Sequence, residues 1–116
     1  MNTKRFNEIL EQTINHCTKT LGFKADEYAT DDRLHNFKVA AEIQNCTPIT
    51  ALAGMMAKHT VSVYDLIQRH EAGLFIPIEM WDEKIGDSIN YLCLLKALVV
   101  EDIDNQTKEA TSNESI

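Results

Sequence analysis

Apolar side chains recur at helical spacing along most of this 116-residue chain, and this periodicity limits what the chain can fold into. Four stretches carry the pattern, and glycine or proline punctuates the segments between them. The composition agrees, because four glycines and two prolines are few for an all-β fold with its many turns. We therefore expect an all-α fold that resembles a four-helix bundle and contains no strand.

Capping and stop signals locate the ends of the four predicted helices. The predicted helices cover residues 2–21 and 33–43, then 48 to about 70 or 71 with Gly73 as the stop, and 77 to about 100. Gly22 ends the first helix, Asp31 or Asp32 caps the second, and Thr47 with Pro48 opens the third. The length suits a single domain, which we place at residues 1–102. Residues 103–116 are polar and acidic, and we expect a flexible, disordered tail there.

The same periodicity predicts which side chains form the core. In the second helix, Leu34, Phe37 and Ala41 would face inward, with Ile43 beside them. The predicted core positions of the fourth helix are Met80, Trp81, Ile85, Ile89, Leu92, Leu95, Leu98 and Val99.

The charge balance excludes some function classes. The net charge is −7, whereas a protein that tracks nucleic-acid phosphates needs a basic face. The sequence has no run of about 18 apolar residues, no signal peptide, and three cysteines without zinc or disulfide spacing. We expect a soluble cytoplasmic protein that binds neither nucleic acid nor membranes.

A polar stripe on the fourth predicted helix is the first candidate site. Glu83, Asp87 and Asn90 lie within about 60° of one another at 100° per residue, and the line runs on to Leu94. Two carboxylates at this spacing repel each other, and partial burial raises that cost unless a cation offsets it. The stripe is therefore either a solvated helix face or a divalent-metal site at the mouth of the bundle.

Two further polar clusters offer donors and carboxylates. On the third helix, Lys58 starts a row with Ser62, Asp65 and Arg69, and His59 lies beside it. Lys58 could hold a phosphate, or the row could form ordinary surface ion pairs. The second cluster precedes or opens the second helix, and its members are Lys24, Glu27, Asp31, Arg33 and Asn36. For Asp31 and its neighbour Asp32 the alternative is a purely capping role.

Three segments together resemble a known group of proteins. They read KADEYATDDRLHNF at 24–37, MMAKHTVSVYDLI at 55–67 and WDEKIGDSINYLCLL at 81–95. They are similar to small phage proteins described as nucleotide-modification-associated. More distantly they resemble the all-α nucleoside triphosphate pyrophosphatases of the MazG and dimeric dUTPase type. The resemblance spans roughly residues 23–98.

The resemblance implies a metal-dependent pyrophosphohydrolase acting on a nucleoside triphosphate. By this comparison Glu83 and Asp87 bind Mg²⁺ or Mn²⁺, and Glu27 and Asp31 belong to the catalytic acidic group. The residues expected to bind the substrate are Lys24, Arg33, Asn36, Lys58, His59 and Asn90. The resemblance also implies a homo-oligomer, either a dimer or a tetramer, in the host cytoplasm if the chain is phage-encoded.

The sequence also departs from the pyrophosphatase pattern. The carboxylates at Glu83 and Asp87 are four residues apart rather than three, and no E-E-x-x-E cluster is present. Two alternatives therefore stay open. One is a non-catalytic phage protein that captures a nucleotide or a cyclic-nucleotide signal in a counter-defence role. The other is a protein-interaction module whose polar clusters are all surface.

Overall fold

The protein is all-α in the part of the chain that its computed structural model describes, residues 1–27 and 32–114. Side chains are described for residues 1–22 and 32–111. The four helices are α1 (Thr3–Glu27), α2 (His35–Gln44), α3 (Pro48–Glu71) and α4 (Ile78–Glu114). No strand occurs in these residues, so the expected helical class is confirmed.

Helix α4 lies between its neighbours. Helix α3 packs against it on one side and α1 on the other, while α2 packs on α3. Cys17 of α1 lies opposite Gly86, and Leu21 shares a cleft with Leu94, so α1 and α4 run in the same direction. Among the described helices α1 packs on α4 alone, so the bundle consists of α2, α3 and α4 with α1 attached at its flank.

The start of α3 follows the sequence signal. Thr47 Oγ1 accepts a hydrogen bond from the Thr50 backbone N–H at 3.2 Å, and Pro48 occupies the first helical position. Proline is tolerated there because its missing N–H would have no partner within the helix. At the other end the chain turns at Gly73, whose φ of 84° favours glycine. The prediction for this helix is confirmed at both ends.

Two predicted helix boundaries are wrong. Helix α1 continues through Gly22 to Glu27, because an isolated glycine costs a helix only about 1 kcal/mol and helix-forming residues follow it. Helix α2 begins at His35 and not at Arg33. Asp32 does not occupy the cap position. Instead its Oδ1 accepts from the Leu34 backbone N–H, and its carbonyl oxygen accepts from the His35 N–H, which closes a turn before the helix.

Helix α4 is longer than predicted. It passes Val100 and the expected domain boundary at residue 102 without a break and reaches Glu114. The segment contains no glycine or proline after Gly86, so no local signal stops the helix. The described side chains beyond Glu101 are exposed. The flexibility of residues 103–116 stays a prediction.

The core lies where α2, α3 and α4 meet. Leu52 of α3 is fully buried, and Leu34, Phe37 and Leu98 close around it. Across the edge of this core, Lys38 Nζ lies 2.6 Å from Asp32 Oδ2 and 2.8 Å from Glu101 Oε1, which ties α2 to α4. The hydrogen bond from Lys38, followed by that from the Leu34 N–H, lowers the pKa of Asp32.

Several apolar residues that were predicted to lie in the core are exposed in the structure. Ile43 is 79% exposed, because it lies on the side of α2 away from α3. Along α4, four residues assigned to the core also show large exposed fractions: Met80, Ile85, Leu92 and Val99. No helix in the described ranges is long and apolar enough to cross a membrane.

Candidate ligand-binding site

A small cleft opens where α2, α4 and the second half of α1 meet. Four polar side chains line it: Arg33 and Asn36 around the start of α2, and Asp87 and Asn90 on α4. The apolar remainder of the wall comes from Leu21, Phe37, Tyr91 and Leu94. Polar groups from separate elements thus converge in an otherwise apolar wall, which is the usual composition of a ligand site.

Asn90 is the least expected member of this wall. It is only 5% exposed, and it is the one buried polar residue beside a core of apolar side chains in the described residues. Its Oδ1 has no hydrogen-bond partner among them. A buried acceptor without a partner costs about 1–3 kcal/mol, so an Asn in this position calls for a donor or a cation from outside.

Asp87 connects the cleft to α3. Its Oδ2 lies 3.5 Å from Nδ1 of His59, and the two groups form an ion pair when the imidazole is protonated. The His59 ring stacks on Tyr91 with 4.6 Å between centroids, and Tyr91 meets the edge of Phe37 at 6.3 Å. This aromatic column joins α3, α4 and α2, and it fixes the positions of the groups around the cleft.

Gly86 lets α1 approach this part of α4. A Cβ at position 86 would lie 3.2 Å from His16 Cδ2 and 3.4 Å from His16 Nε2. Burial, then the nearby Cys93 thiol and the Asp87 carboxylate, raise the pKa of the Cys17 thiol. Cys17 therefore stays protonated at neutral pH and acts as a packing residue, since nucleophilic chemistry requires the thiolate.

The size of the cleft limits what it can hold. Its volume is about 50 Å³. A single water needs roughly 10–15 Å³ of such space, so the cleft suits a few water-sized groups, such as a cation with part of its water shell, a phosphate oxygen or the edge of a base, and not a whole nucleotide. A larger ligand would place one group here and keep the rest outside.

The structure brings together some of the residues singled out from sequence and separates others. Arg33, Asn36, Asp87 and Asn90 meet in the cleft, and His59 reaches it through Asp87. Two others do not line it, and both have exposed side chains: Glu83, whose side chain is 61% exposed, and Lys58. The surface ion pairs that were one alternative for the Lys58 row are not present among the described residues.

Three of the predicted site positions cannot be placed. Asp31 lies outside the described residues. Lys24 and Glu27 belong to α1, but their side chains are not among those that the structure describes. Their roles stay predictions.

A divalent cation fits the cleft in part. Asp87 offers a carboxylate and Asn90 an unpaired amide oxygen, and both are hard oxygen ligands. The described residues contain no group of three His, Cys, Asp or Glu side chains arranged to hold a metal. Mg²⁺ commonly keeps several waters and takes one or two carboxylates together with substrate phosphates, so this donor set suits a metal that arrives with a ligand of its own.

Helical periodicity alone does not identify the aromatic part of the site. Phe37 was predicted as a core residue and Tyr91 was not, and only the packing shows that both form the cleft wall. One local signal was available, since Asn90 and Tyr91 are consecutive and follow Asp87 by a helical turn.

Comparisons with protein-family models, with curated proteins and with solved structures find no match to this chain.

Proposed function

We propose that this protein binds a nucleotide through its phosphates, with one group of the ligand seated in the cleft between α2 and α4. The observation that carries the proposal is the buried Asn90, whose Oδ1 lacks a partner at a position where Arg33, Asn36 and Asp87 converge. A ligand that brings a donor or a cation to this oxygen would offset the free-energy cost of leaving it unpaired in the folded protein.

The charges around the cleft favour a ligand that carries both an anion and a cation. Arg33 can donate to a phosphate, and its five N–H groups allow it to hold more than one partner. Asp87 repels an anion unless a metal intervenes. A nucleotide complexed with Mg²⁺ or Mn²⁺ satisfies both side chains, with Asp87 and Asn90 as the residues that would hold the metal.

Cleavage of the nucleotide is a further step of the same proposal. The resemblance to nucleoside triphosphate pyrophosphatases points to release of pyrophosphate, with Glu27 and Asp31 as the catalytic carboxylates. The bound metal would supply charge neutralisation at the phosphates. The protein would act as a homo-oligomer in the cytoplasm.

Binding without cleavage is the second candidate, and one observation favours it. Asp87 is the single carboxylate that lines the cleft among the described side chains, and it faces His59. Glu83, which the pyrophosphatase reading pairs with Asp87, is largely exposed one turn away. As far as the described side chains go, one carboxylate suits capture of a nucleotide or nucleotide signal better than hydrolysis.

Thermal melting with a panel of nucleotides, with and without Mg²⁺ or Mn²⁺, tests the proposal. A ligand that binds only the folded state raises the melting temperature, and a concentration one hundred times Kd adds about 2.7 kcal/mol. We expect a shift with at least one nucleotide that grows with the metal present. Pyrophosphate release, measured on the same ligand, separates the enzyme from the capture protein.

Two matched variants locate the effect. Asn90→Leu removes the unpaired oxygen and should abolish the ligand-induced shift, whereas Asn105→Leu, on the exposed end of α4, should retain it. The absence of any shift across the nucleotides, with both metals tested to millimolar concentration, would rule out the proposed function.

A further inference from the structure

A second apolar surface lies where the N-terminal half of α1 meets the start of α4, and it shares no lining residue with the cleft. It contains a groove of about 490 Å³ whose apolar walls are Ile9, Ile78, Trp81 and Ile85. Arg5, Gln12 and Asp82 are among the polar residues that line it. An apolar centre with polar groups around it is the usual anatomy of a protein interface.

Next to this groove the α3–α4 connector presents an aromatic side chain to solvent. Phe75 is 88% exposed, and Leu74 beside it is half exposed. The connector forms one wall of a second hollow, and that hollow shares Ile78 and Trp81 with the groove. A projecting Phe and a groove large enough for a Phe side chain thus lie side by side on one face of the molecule.

Resting on the homo-oligomer of the proposed function, we propose that this face joins the two copies, with Phe75 of each copy inserted into the groove of the other. A two-fold axis requires a surface that is complementary to itself. A projection and a groove that share a wall meet this condition, because a single rotation brings both pairs together at once.

The exposed area agrees with a dimer of ordinary size. Leu74, Phe75, Ile78 and Ile85 are exposed to between 38% and 88%. At roughly 170 Å² per large apolar side chain they present on the order of 400 Å². Because about 57% of a typical interface is apolar, this corresponds to about 700 Å² per partner, near the usual value of about 800 Å².

The single chain is elongated, largely because the 37 residues of α4 alone span about 55 Å. Its radius of gyration is 18.2 Å and its extents are 64 × 34 × 26 Å, whereas a compact chain of about 100 residues has a radius near 13 Å. Helix α1 packs only on α4 among the described helices, so its groove-lining residues have one covered side. A second copy would cover the other.

Sedimentation equilibrium of the full chain tests the proposal with two variants. Phe75→Asp introduces a charge at a solvated position, so folding is preserved, and we expect the dimer dissociation constant to rise at least tenfold. Ile43→Ser removes a comparably exposed apolar side chain from α2, and it should leave the dissociation constant within twofold of the parent. Helical circular dichroism confirms that each variant is folded.

The possible outcomes are distinct. A parent chain that stays monomeric at 100 µM overturns the proposal. So does a Phe75→Asp protein that associates as tightly as the parent, or an association that Ile43→Ser disrupts instead. The nucleotide cleft lies on other residues, so its ligand binding can succeed or fail independently of this result.

Discussion

At the scale of single residues, Asn90 lowers the stability of the fold because it places an unpaired polar group in the cleft wall. Asn90 occupies a position on α4 where Leu21, Phe37 and Leu94 are neighbours in the same wall, and a leucine would suit that environment. Its unpaired oxygen has no structural use in the described residues. Sites that bind ligands commonly keep such costs, because function and stability pull in opposite directions there.

Replacing this residue should therefore stabilise the protein. Asn90→Leu removes the unpaired acceptor, and its extra volume can enter the adjacent cleft of about 50 Å³. We expect the free energy of unfolding in urea to rise by about 1–2 kcal/mol. Asn105→Leu, as a surface control, should change it by less than about 0.5 kcal/mol. A clear loss of stability in Asn90→Leu would show that the amide is paired in the folded protein.

Lys38 of α2 forms ion pairs with Asp32 and with Glu101 of α4, and the second pair links the two helices. Its two ion pairs lie at positions more than a third exposed, so each contributes at most about 1 kcal/mol. The pKa of Asp32 is lower in the folded chain because Lys38 donates to it. A lowered folded pKa stabilises the protein above the unfolded value of about 3.9 and loses that contribution as the pH falls further.

The lowered pKa of Asp32 predicts that the effect of replacing Lys38 depends on pH. Lys38→Met should lower the melting temperature near pH 7, and the difference from the parent should shrink below about pH 4 as Asp32 takes up its proton in both proteins. Thermal melts at pH 7 and pH 3 measure it. If the difference is as large at pH 3 as at pH 7, the effect comes from packing of the lysine stem and not from its charge.

At the scale of elements, helix type and count follow from the sequence, while the ends of helices follow only where a strong signal exists. Thr47 and Pro48 give such a signal, and α3 starts there. Gly22 does not stop α1, because the residues after it favour helix more strongly than one glycine opposes it. Periodicity likewise placed Ile85 and Leu92 in the core, since the pattern shows that a face is apolar but not what covers it.

Gly86 is the position where α1 packs most closely on α4 among the glycines of the chain. Gly86→Leu forces its side chain against His16 and should lower the free energy of unfolding by about 1–3 kcal/mol, as overpacking usually does. Gly54→Ala is the matched control, because nothing lies within 4 Å of a Cβ there, and better helix propensity should stabilise α3 by about 0.5–1 kcal/mol. Chemical denaturation measures both. Equal effects in the two variants would contradict the close approach of α1 at Gly86.

At the scale of the whole molecule, the sequence predicts the polar residues that α4 contributes to the cleft. It does not predict that residues around α2 pack next to them. Spacing along α4 aligned Asp87 with Asn90, whereas the approach of Arg33 and Asn36 depends on how α2 packs through α3. Spacing also aligned Glu83 with this pair, yet Glu83 extends into solvent because the cleft begins one turn further along. Angles around one helix cannot show where the neighbouring helix ends.

The most direct test of the central claim is nuclear magnetic resonance of the full chain titrated with the nucleotide that gives the largest melting shift, in the presence of Mg²⁺. We predict that the largest shift changes occur in the side-chain amide of Asn90 and in the amides of Arg33, Asn36, His59 and Asp87, and that Asn90→Leu loses them. Saturating binding with its largest changes elsewhere, while these residues stay unchanged, would contradict the assignment of the cleft as the nucleotide site.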